Sequence, residues 1–358
     1  MEPLKNKYNQ NYIDNLSSDI KKIYKDFDTK NFKKDIFDKN WKNTELKNRM
    51  RRISVTIGVY LPQDYKKAID ILKNVYKQTD QTKGLENMIF QDFVEVYGLN
   101  YFDISMRALE LFTINSSSEF AIRQFILKYP TKTMYQMLLW TKSDIVDIRR
   151  LSSEGCRPRL PWAIALNSFK QDPTRVFEIL EILKHDTERY VLRSVANNLN
   201  DISKDNPNMV LNFIRQNINI NSNIDYVLKH GSRTMLKNGD KTALGLFGYK
   251  PIKAEIKNFK CDSIVKIGER LNFGFDIAGI KVLGDIRIEY IITYKLKNNA
   301  QGDKIYMISQ KNHKAENLHI DTSHNFKRIS TKVYNAGVHM LTININGEEK
   351  ISKEFVLR

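Results

Sequence analysis

The sequence predicts a multidomain chain, with an all-α part of stacked helix pairs over residues 1–250 and an all-β sandwich over residues 251–358. Three observations carry that division. From Leu46 to Phe247 apolar residues recur every three to four positions, as on one face of a helix. After Tyr249 the period falls to two, the spacing of strands with one buried face. The chain has 358 residues, beyond the size at which a single hydrophobic core keeps growing.

The stretch from Leu4 to Trp41 is charged and amphipathic. Ile20, Ile23, Tyr24 and Phe27 stand at helical spacing, and Phe32, Ile36 and Phe37 follow, so short, loosely held helices are expected. A firmer helix begins after Asn43-Thr44, with Leu46, Met50, Ile53 and Ile57 on one face. It ends near Leu61-Pro62, because proline lacks a donor and restricts the residue before it. Ala68, Ile69, Leu72 and Val75 define the next. Helical pattern resumes over Leu85 to Val96 and over Asp103 to Phe112, where Asp103 is suited to cap. Ser116-Ser117-Ser118-Glu119 opens another helix, with Glu119 in its first turn, where a carboxylate meets the positive end of the helix dipole. Pro130 closes that helix. Met134, Met137, Leu138 and Trp140 supply the next, and residues 144–154 and 176–183 form a further antiparallel pair.

A helix starting at Asp186 carries Val191, Val195, Leu199 and Ile202 as a buried stripe. Arg193, Asn197, Asp201 and Lys204 form a second, polar face. Asn and Asp are poor helix formers, so their use in mid-helix reflects something other than propensity. The segments around Arg150 and Arg193 are alike, and these residues lie 43 positions apart. Val191 and Val227 lie 36 apart. Such spacings fit two-helix HEAT-like repeats, which stack into a solenoid with a concave groove. Lys229, His230 and Arg233, at the third repeat, extend the basic face.

In the last part, Leu271, Phe273, Phe275 and Ile277 alternate with polar residues. So do Ile286, Ile288, Tyr290, Ile292, Tyr294 and Leu296. Leu341, Ile343 and Ile345 lead through Asn346-Gly347, a favoured hairpin turn, to Ile351, Phe355 and Leu357. This pattern fits an antiparallel immunoglobulin-like sandwich, here without a disulfide. The two cysteines, Cys156 and Cys261, form no CxxC pair, and His313, His319 and His324 fall in a loop-like part with no metal-ligand spacing. Neither a metal nor an organic cofactor is expected.

Charge narrows the function. The chain carries 58 Lys and Arg against 41 Asp and Glu, a net +17. No stretch approaches the ~20 apolar residues of a membrane span, so the polyanion this excess suits is nucleic acid. Met1 to Ser18 lacks the apolar run of a secretory signal, and a cytosolic location is expected. The densest basic feature is Arg149 to Trp162, Arg-Arg-Leu-Ser-Ser-Glu-Gly-Cys-Arg-Pro-Arg-Leu-Pro-Trp. Pro158 and Pro161 stop any helix there and leave a stiff basic loop. Four guanidiniums so close repel one another unless they meet carboxylates or phosphates. Trp162 either plugs the core or packs against a ligand.

Three ordered motifs carry a resemblance. Ser-Ser-Glu-Phe-Ala-Ile-Arg, the arginine loop, and Tyr-Val-Leu-Arg-Ser-Val-Ala-Asn-Asn-Leu-Asn-Asp-Ile-Ser-Lys-Asp together resemble the AlkC branch of the HEAT-like DNA alkylation repair glycosylases, over about Leu46 to Phe247. Some members of that branch also carry a C-terminal immunoglobulin-like domain. The resemblance implies hydrolysis of the N-glycosidic bond of cationic alkylated bases in duplex DNA, chiefly 3-methyladenine, with 3-methylcytosine included for this branch. It implies that Glu119 and Asp201 are the catalytic acidic pair. Arg150, Arg157, Arg159, Arg193, Lys204 and Arg233 would then bind phosphates around the lesion. Glu154 would orient an arginine or touch the damaged nucleotide, Asn197, Asn198, Lys229 and His230 would line the DNA face, and Trp162 would pack on the lesion or its sugar. The sandwich becomes a DNA-binding accessory domain and the working form a monomer. The competing reading is a noncatalytic HEAT-like scaffold for damaged or branched DNA. The paired carboxylates discriminate, since a pure phosphate binder gains nothing from them.

Overall fold

The computed structural model describes residues 2–297, 300–328 and 333–358. The chain divides into two compact units, Met1–Val210 with Asn219–Gly231 and Leu211–Ile218 with Ser232–Arg358. The short helices after Ser232 cluster with the strands.

In the first unit, α1 (Gln10–Ile23) and α2 (Thr29–Ile36) precede α3 (Leu46–Tyr60), α4 (Tyr65–Gln78), α5 (Met88–Tyr97) and α6 (Phe102–Phe112). Next come α7 (Ile122–Lys128), α8 (Pro130–Trp140), α9 (Val146–Gly155), α10 (Asn167–Gln171), α11 (Thr174–Leu183) and α12 (Arg189–Ile202). Residues of helix α13 (Pro207–Asn217) fall in both units, and α14 (Ser222–Gly231) is the last helix of the first. The N-terminal helices are not loosely held. Tyr8, Ile13, Ile20, Phe27, Phe32 and Ile36 are all buried, each large apolar side chain worth about 2–3 kcal/mol of transfer free energy. Asn9 and Asp28 cap their helices through side-chain oxygens, and Tyr12 Oη donates to the Glu86 carbonyl at 2.8 Å. The sequence pattern missed this because the buried residues are diluted by lysines on the opposite face.

Several boundaries move. Helix α5 starts at Met88 rather than Leu85. Glu119 lies in the turn before α7, not in its first turn, and Ser118 Oγ donates to the Leu109 carbonyl rather than capping. Asp103 sits inside the first turn of α6, with Tyr101 at the cap. Pro130 opens α8, as suits a residue whose missing donor costs nothing at a first helical position. Helix α12 begins at Arg189, because Asp186 is used in a turn, accepting from the Glu188 amide and from Arg149. Its stripe is as expected: Val191, Val195, Leu199 and Ile202 are fully buried. Two glycines set close packing. A Cβ on Gly155 would come within 2.6 Å of Ile122 Cγ2, and one on Gly231 within 2.9 Å of Leu199 Cβ. The end of α9 therefore lies directly on α7, and α14 on α12.

Among its described residues the second unit has α15 (Arg233–Lys237), α16 (Lys241–Leu246) and the strands β1 (Ala254–Cys261), β2 (Ile264–Val265), β3 (Arg270–Gly279), β4 (Gly284–Lys295), β5 (Gln301–His313), β6 (Asn317–Asn325), β7 (Gly337–Ile345) and β8 (Glu348–Leu357). They form sheets ordered β1-β3-β6 and β2-β8-β7-β4-β5. All pairings are antiparallel except that of β2 with β8. Phe275, Ile277, Ile286, Ile292, Leu341 and Ile343 lie in one buried core between them. Asn346 and Gly347 take positive φ of 49° and 82°, the geometry of a type I′ hairpin. The histidines expected in a loop are in strands. His313 ends β5, and His319 and His324 belong to β6, with His324 buried between the hydroxyls of Tyr290 and Tyr294 at 2.9 and 3.0 Å. Among the described residues no group of three His, Cys, Asp or Glu is arranged to hold a metal ion, and no helix is long and apolar enough to cross a membrane.

Candidate functional site

Three segments of the helical unit meet at one row of charges: the turn before α7, helix α9 with the loop after it, and α12. Gly155 makes the meeting possible by letting α9 end against α7. Along the row, Glu119 Oε2 lies 2.6 Å from Arg150 Nη1, and Arg150 Nη2 lies 3.4 Å from Glu154 Oε1. The same Glu154 oxygen is 2.6 Å from Arg157 Nη1, whose Nε is 2.9 Å from Asp201 Oδ2. Lys204 Nζ closes the row, 3.3 Å from Asp201 Oδ1. Signs alternate from end to end, with a carboxylate at one end and an ammonium at the other.

Hydroxyls complete the row. Ser117 Oγ donates to Glu119 Oε2 at 2.7 Å and accepts from Arg150 Nη1 at 2.8 Å. Ser194 Oγ donates to Glu154 Oε2 at 2.6 Å. Both Glu154 oxygens are therefore engaged, as are both of Asp201. Burial works against the Arg150 charge, yet Glu119 and Glu154 more than offset it and hold the guanidinium above its ordinary pKa. Arg157 follows the same balance, with burial outweighed by Glu154 and Asp201. Exposure falls along the three carboxylates: the Glu119 side chain is 15% exposed, Glu154 7% and Asp201 3%. The ring of Tyr190, itself exposed, lies under the Arg150 guanidinium, 5.0 Å from centroid to carbon.

The remaining expected residues are placed as follows. Arg157 is buried and committed to two carboxylates, so its guanidinium is not presented to a phosphate. Asn198 is fully buried and donates to the Ser153 carbonyl at 2.8 Å, a structural tie between α12 and α9 rather than a surface contact. Asn197 is half-buried and Arg193 exposed on α12. Arg159 is exposed and held by Asp205 at 2.6 Å. Lys229 is exposed on α14, and the half-buried His230 stacks on Tyr226, with centroids 5.6 Å apart. Arg233 belongs to the other compact unit. Trp162 does not plug the core: it is 64% exposed, with φ of +62°. Sequence reasoning missed Ser117, Tyr190 and Ser194 as members of the site. No spacing signal marks an isolated serine or tyrosine, and only the fold brings them to the row.

With the geometry in place, comparison with known proteins gives the class. Residues 68–235 match the model of the DNA alkylation repair enzyme family, and residues 255–358 that of the C-terminal Ig-like domain of the uncharacterised protein YhaZ. The uncharacterized protein YhaZ of Bacillus subtilis strain 168 is 38% identical over 358 residues, covering 99% of both chains. A solved structure of the alkylpurine DNA glycosylase AlkC of Pseudomonas fluorescens, bound to DNA containing an abasic site analogue, superposes with a TM-score of 0.95. It is 30% identical and covers 100% of both chains. The chain belongs to the DNA alkylation repair enzyme family, with an immunoglobulin-like C-terminal domain.

Proposed function

We propose that this protein is a DNA glycosylase that hydrolyses the N-glycosidic bond of cationic alkylated bases, 3-methyladenine foremost and 3-methylcytosine second, in duplex DNA. The observation that carries the reading is the alternating row that ends on Glu119. A cationic base is already a good leaving group: it departs with the bonding electron pair and becomes neutral, so no acid is needed to protonate it. The remaining barrier is positive charge on the sugar and the placing of a water, both tasks for fixed carboxylates. Glu119 has one oxygen held by Arg150 and Ser117, and its Oε1 makes no hydrogen bond among the described contacts. That oxygen accepts a proton from the attacking water as the water oxygen bonds to C1′. Asp201, deeper and held from both sides, acts on the sugar's charge and fixes Arg157.

Asp201's burial and the complete pairing of Glu154 favour a second reading, a structural charge network in a noncatalytic DNA-binding protein. The separating experiment is incubation of the purified protein with methylated duplex DNA without added metal, resolving released 3-methyladenine, 7-methylguanine and 3-methylcytosine. Release of 3-methyladenine or 3-methylcytosine that is lost in Glu119→Gln supports the glycosylase. Salt-sensitive DNA binding without any base release moves the assignment to the noncatalytic protein.

A further inference from the structure

The loop from Cys156 to Ile164 combines an exposed tip with a fixed frame. Leu160 and Leu166 are buried under it, and the Leu166 amide donates to the Pro158 carbonyl at 3.1 Å. The tip, Pro161 and Trp162, is exposed. Trp162 holds a φ of +62°, a region that costs a bulky L-residue about 1–2 kcal/mol. Such strain persists only where the surroundings over-determine it.

Two cations outside the charge row supply that determination. Arg123, on α7, is fully buried, and its hydrogen bonds among the described residues go to carbonyls: Nη1 donates to Gly155 O at 3.1 Å and Arg157 O at 2.8 Å, and Nε to Ile164 O at 2.8 Å. It thereby grips both ends of the loop. Burial pulls this guanidinium down to about 10, so it stays charged at neutral pH. Lys47, on α3, grips the tip: Nζ donates to the Trp162 carbonyl at 2.7 Å and stands 4.4 Å from the centre of the Phe120 ring, next to Glu119. Each cation joins the tryptophan loop to the segment bearing Glu119.

We propose that Lys47 and Arg123 are positioning residues that clamp the Trp162 loop in one pre-set conformation relative to Glu119. The clamp acts on the excision step through Trp162 and Arg157 and touches neither base nor sugar. Its catalytic consequence rests on the glycosylase reading, whereas its effect on the loop does not.

The test uses the full chain and the protein's own tryptophans, because Trp41 and Trp140 are buried. Steady-state anisotropy of Trp162 is isolated by subtracting the Trp162→Phe signal. Lys47→Met lowers that anisotropy and slows single-turnover base release about tenfold, the scale of one charge-assisted hydrogen bond. Affinity for DNA with an abasic-site analogue changes less than about threefold, since a pre-set loop governs the reacting geometry more than phosphate binding. Lys47→Arg restores both anisotropy and rate. Arg123→Lys, which keeps the charge and loses the fork, gives the same pattern, and if it fails to fold the Lys47 variants decide alone. Unchanged Trp162 anisotropy in Lys47→Met overturns the clamp. A wild-type protein that releases no base sinks the glycosylase reading instead, and the anisotropy result still decides the clamp.

Discussion

Replacing Asp201 by asparagine keeps the side chain's shape and removes one negative charge from the buried row. Arg157 Nε loses a carboxylate at 2.9 Å and Lys204 one at 3.3 Å, but Arg157 retains Glu154 at 2.6 Å. The new amide oxygen still accepts one hydrogen bond. The stability cost is that of a weakened charge-assisted bond, about 1–2 kcal/mol. The 3–5 kcal/mol of a buried ion left wholly unpaired does not apply. At about 2–4 °C per kcal/mol for chains of roughly this size, the melting midpoint falls by no more than about 8 °C. Excision suffers far more, because removing a preorganised counter-charge from a forming cationic transition state typically costs about 100-fold or more. The assay is single-turnover release of 3-methyladenine at a temperature where the variant is folded, beside its affinity for abasic-analogue DNA. Release within threefold of wild type, with the melting midpoint lowered as described, would refute the catalytic role and leave Asp201 as a structural partner of Arg157.

Trp162→Gly removes the strain of a positive φ and should leave the fold as stable or raise it by up to about 1 kcal/mol, while base release falls. Thermal melting and excision measured together check this, and lowered stability would show that the conformation is not strained. Arg159 is exposed and, among the described residues, paired with the surface Asp205, so Arg159→Ala should weaken DNA binding across sequences and reduce the salt slope by about one; an unchanged slope argues against a phosphate contact there. Burial pushes the Cys156 thiol up to about 12 and the Cys261 thiol to about 11. At pH 8 Cys156 should therefore react with a disulfide reagent only as the helical unit unfolds, so a thiol titration following the circular dichroism transition checks its burial. His319 is raised above its ordinary 6.5 by its hydrogen bonds to Asp276 and then Asp321. A raised histidine pKa adds stability below the unfolded value that is lost as pH rises through the folded one. The sandwich should be more stable below pH 6.5 than above the raised folded pKa of His319 by an increment absent in His319→Ala, and an NMR titration midpoint at or below 6.5 would exclude the pairing.

Much of this architecture was legible because two periods dominate the chain. The stripe on α12 and the alternation in β3, β4 and β7 follow directly from residues that the core demands. The strands β1, β5 and β6 carry no clear alternation in the sequence, since their outward positions hold lysine, asparagine and histidine and most of their inward positions are only partly buried. The N-terminal helices look loose in the sequence for the same reason, their apolar side chains being outnumbered by solvated ones. At the site, Glu119 and Asp201 could be nominated from residue type and from resemblance. Their connection through Arg150, Glu154 and Arg157 depends on α9 ending against α7 at Gly155, a tertiary contact with no local sequence mark.

The arginine loop shows how a charge argument divides once partners are known. Four guanidiniums so close need carboxylates or phosphates, and each has a carboxylate: Asp186 for Arg149, Glu119 and Glu154 for Arg150, Glu154 and Asp201 for Arg157, and Asp205 for Arg159. Local repulsion is thus solved within the chain, and the cluster alone no longer implies DNA. What remains informative is the order of the signs. Glu119, Glu154 and Asp201 balance Arg150, Arg157 and Lys204, so the row is neutral as a whole and its distant field is weak. Its ends are unlike: Glu119 at one, Lys204 at the other. A neutral row with a negative end attracts a cation only at short range, and its positive end accepts an anion only there. For the proposed reaction that polarity suits a substrate presenting a cationic base and sugar at the Glu119 end and a phosphate at the Lys204 end. A network built solely for stability would gain nothing from leaving its least buried carboxylate at the end with an unengaged oxygen.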